Sequence, residues 1–589
     1  MMLRVLRQAP AYSAAILGML TLSTVVLIGT AVQVDAALFR PPEFPGVDRL
    51  VIVYNLESAP GRPDRRVRWS YRGVSLLRQL AAPSLEVANY SPSLLPLTLE
   101  SEAEAVTAEI VSPDYFALLE AAPIIGRGFR PDEDSVPGAG PVTVLSHGLW
   151  QRRFGGDSGI VGRQVRVSGT QLTVIGVMGP RFHGLSGNAA LWVPAAMAPT
   201  LSYPEYLTSD QHFISAVGRL RPGVGLQQAD RQLELVGQAI TSQLDSGTTG
   251  ATVRTSAIPL NQARINGSTR RSLLLLLAGA SLLHLLAIAN VVNLMLARAA
   301  ARQREAAILV AIGGSTWQRL RYFATEGMAF SFLATGIGLV IAWAATPLLA
   351  IPADAWGPRS LYGSLATFST VEFGVRELVL ALLLGTGTAL LVTWAPVVAL
   401  LHPSLGAMQR DGGGISRGGA TLRRLLLRGV IVAVEAGLAM VLLVAGGLLI
   451  ESYRRMRATD LGIEPDHVLS FWIRPSESRV PTDQAPAFVA RVLSAIEALP
   501  GVEAATVDGG GPLSGSARST LIIAGHPPAR PEDAPPILRH YVGPNHFRVL
   551  GVPLLRGRAF DQRDRAGSPR VVVISESAAR RFWPNSDPI

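Results

Sequence analysis

The sequence predicts a multi-pass α-helical membrane protein that carries α+β domains outside the bilayer. Three observations lead there. The 589 residues have a mean hydropathy of +0.31, too apolar for an ordinary soluble chain. Uncharged apolar runs recur at membrane-crossing length, and the short segments between them are rich in arginine. Two longer stretches of ordinary globular sequence lie among the runs, and their landmarks repeat.

The runs come first in the chain. Arg4 and Arg7 precede an uncharged stretch over residues 8–34. Its apolar part exceeds the ~7–15 residues of a signal peptide, so residues 1–34 read as an uncleaved anchor and first transmembrane helix. Residue 35 onward then lies outside the cytoplasm. Residues 272–297 and 327–350 form the second and third spans. At ~1.5 Å rise, about 26 residues make roughly 39 Å of helix, enough for a ~30 Å hydrocarbon core. Residues 378–401, with Pro396 near the cytoplasmic end, make the fourth span, and residues 429–450 the fifth. The Gly-rich linker between those two, residues 402–428, holds Arg410, Arg417, Arg423, Arg424 and Arg428, which places it inside.

The outer regions are residues 35–271 and 451–589. In the first, strand candidates are 50–54, 106–111, 142–146, 172–178 and 213–219. Helix candidates are 114–120, 147–154 and 226–244, the last after the turn Arg221-Pro222-Gly223. One series of landmarks runs Pro113, Phe116, Arg127, Phe129, Val142, Ser146 and Arg152-Arg153-Phe154. It recurs nearly in register as Pro544, Phe547, Arg558, Phe560, Val571, Ser575 and Arg580-Arg581-Phe582. One domain type is therefore expected twice. The second series stops soon after Asp587, where the first continues into strands and a three-helix membrane unit. That leads to the expectation of a truncated second repeat lacking about three spans.

The connector between the second and third spans, residues 298–326, carries Arg298, Arg302, Arg304, Arg319 and Arg321 against Glu305 and Glu326. Arg298, Arg302 and Glu305 share a helical face, and Ile308 to Ile312 is a short apolar patch. Gly313-Gly314 breaks the helix, and Ser315 with Gln318 forms a capping box that restarts it. By residue physics alone, topology control explains the arginines as well as a docking role does.

Resemblance separates the two. Arg302, Arg304, Glu305, Ala307 and Ile308, then Ala311-Ile312-Gly313-Gly314-Ser315 and Glu326, resemble the cytoplasmic loop of FtsX-like and MacB-like ABC-transporter permeases. The chain departs from that pattern at Leu309, where the family commonly has a basic residue, and at Gly314, where Ala is usual. Ser112-Pro113-Asp114-Tyr115-Phe116, Gly126-Arg127-Gly128-Phe129 and the segment 218–224 are similar to the MacB-like periplasmic core domain. The doubled layout resembles the duplicated orphan permeases of acidobacterial type. The resemblance implies a transmembrane α-helical plus α+β protein of the bacterial inner membrane. Residues 272–401 would be an FtsX-like permease domain, flanked by two MacB-like core domains, the second truncated. The loop would carry a coupling helix that docks on an ABC ATPase subunit through Arg298, Arg302, Arg304, Glu305, Ile308, Gly313, Gly314, Ser315, Arg319 and Glu326. ATP and Mg would sit on that partner, and this chain would hold no cofactor. MacB-like relatives convey force across the membrane in export, together with periplasmic or outer-membrane partners. FtsX-like relatives instead switch an extracytoplasmic cell-wall hydrolase, and the sequence does not separate these uses.

Composition narrows the chemistry. All 53 cationic residues are arginine, against 43 acidic ones. A P-loop needs a lysine to reach the β/γ-phosphates, so these residues hold no Walker A motif. The chain contains no cysteine, which excludes disulfides and thiolate sites. The arginines flank apolar spans, which points to membrane lipid and topology and away from nucleic acid.

The remaining candidates are few. Gly414, Ser416 and Gly418 match a nucleophile elbow, but they fall in the Gly-rich linker with no flanking strand. His284 and Glu435 are polar groups inside spans, where an ionisable side chain is costly and a functional suspect by default. For Glu435 an interhelical hydrogen bond is expected over a proton relay, and His284 is expected to be a packing or hydrogen-bonding residue and not a ligand, since no partner histidine shares its face. His147, His183 and His212 lack metal-ligand spacing. Asp132-Glu133-Asp134 reads as a solvated loop.

Overall fold

The computed structural model describes residues 9–40, 44–58, 64–99, 102–244, 252–264, 267–301, 316–349, 374–401, 419–471, 473, 480, 484–509, 517–525, 535–565, 567–584 and 586–589. They belong to two compact units. One gathers the long apolar helices; the other holds the chain from Glu43 to Ala263 and from Thr459 onward.

Among the described residues five helices are long and apolar enough to cross a membrane. They are Pro10–Val34, Gly267–Ala301, Thr316–Leu349, Val375–Leu401 and Gly419–Arg457, the first to fifth spans below. Several outrun their uncharged cores. The arginines at those ends stop the apolar run without stopping the backbone ladder, because a helix satisfies its own N–H and C=O groups in water and lipid alike. Ile16 and Leu20 of the first span pack with Val291 and Met295 of the second, Phe330 of the third and Val392 of the fourth. Two glycines let backbones close up. A Cβ at Gly338 would lie 2.9 Å from a Thr24 methyl, and one at Gly327 2.6 Å from a Thr393 methyl. The opposite faces expose Leu275, Val340, Trp343, Leu383 and Trp394, as a lipid-facing surface requires. In the fifth span no residue of the most apolar window is buried.

The first outer region is built on a mixed sheet. Its strands are β1 (Leu50–Ser58), β2 (Arg65–Val67), β3 (Leu85–Leu99), β4 (Glu102–Val111), β5 (Ile125–Gly126), β6 (Val142–Leu145), β7 (Gln164–Val167), β8 (Thr170–Val177), β9 (Leu191–Pro194), β10 (Ser215–Leu220) and β11 (Thr252–Pro259). The order is β11-β1-β10-β3-β4-β9-β6-β8-β5, with β2 beside β1 and β7 bridging β3 and β8. β4 pairs parallel with β9 and β6 with β8; the other pairs are antiparallel. Two cores form, one around Trp69, Leu77, Leu145 and Leu233, the other around Tyr90, Tyr115, Phe116 and Trp192. The five strand candidates overlap β1, β4, β6, β8 and β10, with 142–146 and 172–178 one residue long at their ends and 213–219 starting two residues early. Helix candidate 147–154 coincides with His147–Phe154, capped by Ser146, whose Oγ accepts from Leu149 N.

β3 has no counterpart among the candidates because Pro92 and Pro96 interrupt it. Both prolines sit between the stretch where β3 pairs with β10, up to Tyr90, and the stretch where it pairs with β7, from Leu97. The Pro96 carbonyl accepts Ser168 N on the β7 side. In a strand N and C=O of one residue share a side, and Pro92 has the same parity. Both missing N–H groups therefore face the side that carries no strand ladder among the described residues.

In the acidic run 132–134 Asp132 is exposed, as a solvated loop would have it, while Glu133 and Asp134 depart from that expectation. The run is a single 3-10 turn, Pro131–Asp134. Glu133 takes Arg127 at 2.6 and 3.0 Å and Arg130 N at 2.8 Å. Asp134 accepts Ala196 N at 2.6 Å. An acidic side chain here spends its oxygens on the chain itself.

In the second outer region the described elements are a helix at Ala485–Glu497, a hairpin of β12 (Ala517–Thr520) with β13 (Pro536–Arg539), a turn of helix at His546–Val549 and a helix at Glu576–Phe582. Several details match the first region. Ala121 N reaches Phe116 O at 2.9 Å, and Val552 N reaches Phe547 O at 2.8 Å. Phe116 and Phe129 stack with centroids 5.5 Å apart, Phe547 and Phe560 at 6.2 Å. Arg558 clasps Asp564 at 2.6 and 2.7 Å, as Arg127 clasps Glu133. Ser575 caps its helix through Ala578 N, as Ser146 does through Leu149 N.

Candidate functional site

The roots of the connector meet at Arg298 and Glu326. Arg298 ends the apolar part of the second span; Glu326 and Phe330 stand one turn apart on the third, so both point at the same neighbour. The Arg298 guanidinium lies 4.3 Å from the ring centroid of Tyr12 in the first span. Its Nε is 3.7 Å from Glu326 Oε1, and Glu326 is 7% exposed. Phe330 closes on the same ring edge-on at 6.4 Å. At 3.7 Å the pair is ionic without a hydrogen bond, and the cation divides its attraction between a carboxylate and an aromatic face. One charge thus joins three helices. Arg302, Arg304, Glu305, Ile308, Gly313, Gly314 and Ser315 lie outside the described residues, and Arg319 falls in the first turns of the third span.

His284 joins three helices deeper in the bundle. Its Nδ1 is 3.0 Å from Ser23 Oγ and its Nε2 2.9 Å from Thr388 Oγ1. The Ser23 hydroxyl proton goes to Leu20 O at 3.1 Å, so Nδ1–H donates to Ser23 and Nε2 accepts from Thr388. Among the described residues the Oε1 of Glu435 is buried without a hydrogen-bond partner, so no interhelical bond forms through that oxygen.

The outer region holds a buried carboxylate that the sequence reading missed. Glu109, 0% exposed, accepts Tyr115 Oη–H and Trp192 Nε1–H on Oε2 and Ser186 N–H on Oε1, each at 2.7 Å. Leu185 N–H donates to Tyr115 Oη at 2.9 Å, and Gly184, at φ +71°, passes so close that a Cβ would overlap the carboxylate. Burial pushes Glu109 above the usual carboxylate range, against the downward pull of the bonds from Ser186, Tyr115 and Trp192. The arrangement latches residues 184–186 onto β4. Its signal in the sequence is one acid inside the otherwise uncharged run Val106-Thr107-Ala108-Glu109-Ile110-Val111.

Spanning helices joined by a basic connector, with an α+β domain between the first two, are the parts of a transport permease. The chain belongs to the MacB/FtsX-like ABC-transporter permeases. The MacB-like periplasmic core domain matches residues 13–236 and again 425–589, and the FtsX-like permease C-terminal domain matches residues 267–405. Over 282 residues the chain is 26% identical to the macrolide export ATP-binding/permease protein MacB of Chromobacterium violaceum. That alignment takes in 46% of this chain and 41% of the relative, so the chain spans less than half of that protein. Among solved structures it is similar to a domain of a putative permease from Porphyromonas gingivalis (20% identity, 37% of this chain, 92% of that one, TM-score 0.29). It is also similar to the periplasmic region of MacB from Actinobacillus actinomycetemcomitans (15% identity, 38% of this chain, 92% of that one, TM-score 0.26). The family is one of membrane permeases with periplasmic domains, whose ATPase is an ABC subunit.

Proposed function

We propose that this permease takes up ATP-driven motion from a partner ABC ATPase at residues 298–326 and passes it through the spanning helices to the outer domains in the course of export. Residues 35–271 and 451–589 serve as the two outer domains, and residues 272–401 as the permease core. ATP and Mg bind the partner, and a periplasmic or outer-membrane component receives the output. The observation that carries this reading is the three-helix joint of Tyr12, Arg298 and Glu326. It stands at both roots of the connector, so movement of the connector cannot stay local. Its 3.7 Å ionic contact is loose enough to tighten or part without unpacking apolar surface.

The connector residues supply the test. Arg302→Glu and Glu305→Arg reverse charges on the face proposed to dock, and each is expected to lower partner-ATPase binding at least tenfold, about 1.4 kcal/mol, with membrane insertion unchanged. Co-purification and stimulated ATP hydrolysis are the measurements. Full stimulation in both variants would remove the docking assignment.

A further inference from the structure

The outer end of the helical unit is held by contacts of a different kind from the inner end. The first span runs into a π-helical turn, Asp35–Phe39, which closes with Arg40 N donating to Asp35 O at 2.7 Å. Arg264, 6% exposed, sits just ahead of the second span and donates through Nη2 to Ala36 O at 3.1 Å and Ala37 O at 3.0 Å. Arg40, at the end of the same turn, meets Glu377 of the fourth span at 2.6 Å. Glu377 is 3% exposed, accepts Gly374 N at 2.6 Å with its other oxygen, and stands in the first turn of its helix, where the dipole favours a negative charge. Asp35 lies 3.8 Å from Arg40 Nε, on the far side of that guanidinium.

The Arg264 bonds and the Arg40–Glu377 contact are short and directional, with Arg264 and Glu377 buried, whereas the inner joint is a 3.7 Å ion pair with a ring as its second seat. A buried ion pair adds little net stability over apolar packing of the same volume, so its distinctive contribution is a fixed register between the elements it joins. The position of the clasp matters for the same reason. The chain leaves the helical unit after Pro42 and returns to it at Arg264, so Arg40 and Arg264 stand at its two covalent connections to the first outer region.

We propose that Arg264 and the Arg40–Glu377 pair form a positioning clasp that makes the outer ends of the first, second and fourth spans move as one body. A displacement arriving from the connector then reaches both connections together instead of shearing them past one another. This rests on the coupling reading above and assigns the step that follows it.

The chain has no native cysteine, so two introduced ones can be labelled cleanly. Spin labels at F39C and G267C, in full-length protein in lipid nanodiscs, report the distance between the two connections. The intact clasp is expected to give one narrow distribution, unchanged through the ATP cycle of the bound partner. Glu377→Gln, which keeps the side-chain shape, and Arg264→Ala are each expected to broaden it roughly twofold while partner binding and stimulated hydrolysis persist. Arg264→Lys, which keeps a donor, should restore much of the narrow form. A distribution that splits during the cycle in the intact protein, or that stays narrow in both variants, overturns the clasp. Should the intact protein neither bind nor stimulate an ATPase, the coupling reading fails instead, and the nanodisc distances without ATP still decide the clasp.

Discussion

The two outer regions share their turns and differ in everything that depends on distant partners. Arg127–Glu133 and Arg558–Asp564 close the same six-residue clasp, and the Phe pairs stack alike. Yet β6 is sandwiched by β8 and β9, while its match around Val571 has no ladder among the described residues. The chemistry diverges at the same places. By the offset that relates the clasps, the fully buried Glu109 and Tyr115 correspond to exposed His540 and half-buried His546. Short-range geometry is written into a few dozen residues. Burial, and with it most of the energy, comes from the sheet that forms around them.

Matched substitutions can break or sharpen this contrast. The largest effect is expected at Glu109→Ala, which strands the Tyr115, Trp192 and Ser186 donors in the core and costs roughly 3 kcal/mol or more. His540→Ala should leave stability nearly unchanged, and urea melts of the full chain in detergent compare the two. An equal loss at both positions would end the contrast.

A middle-sized effect depends on pH. Burial, helped by Asp114, lifts Asp134 to about 6. An acid raised in the folded state binds its proton more tightly there. Its contribution to stability is complete below the unfolded value near 3.8 and is lost as pH climbs through about 6. Asp134→Asn, which still offers an oxygen to Ala196 N, should flatten that window by about 1–2 kcal/mol after allowance for solvent screening. Thermal melts at pH 4 and pH 7 read it out. A wild-type protein that gains stability across the interval would refute the assignment.

The smallest effect belongs to the clasps themselves. Arg127→Ala is expected to cost under ~1 kcal/mol, because its pair is partly open to solvent, and Arg558→Ala less still. A larger loss at Arg558 would mean that the second region buries its clasp against something beyond the described elements.

What could be read beforehand follows the same division. The spans were legible because transfer into hydrocarbon is decided residue by residue, and all five appear as helices, several of them longer than their uncharged runs. Arg298, Glu326 and His284 were legible as residues. Tyr12, Ser23 and Thr388 were not, since choosing them requires the rotation of each helix about its axis. Glu109 escaped notice because one acid in a strand looks like a solvent-facing position until the Gly184 turn folds over it. β3 was hidden by two prolines whose tolerance depends on which neighbours β3 lacks. The connector residues 302–315 lie outside what the structure describes, so their part in docking rests on the mutational test.

Those prolines have one more effect. Between β10 and β7 the flank of β3 carries no strand ladder among the described residues, and a strand flank without a ladder invites a stray strand from an unfolding neighbour. Pro92 and Pro96 put a pyrrolidine ring where an incoming backbone would look for a donor. That stretch therefore offers an incoming strand no continuous run of donors on which to add itself.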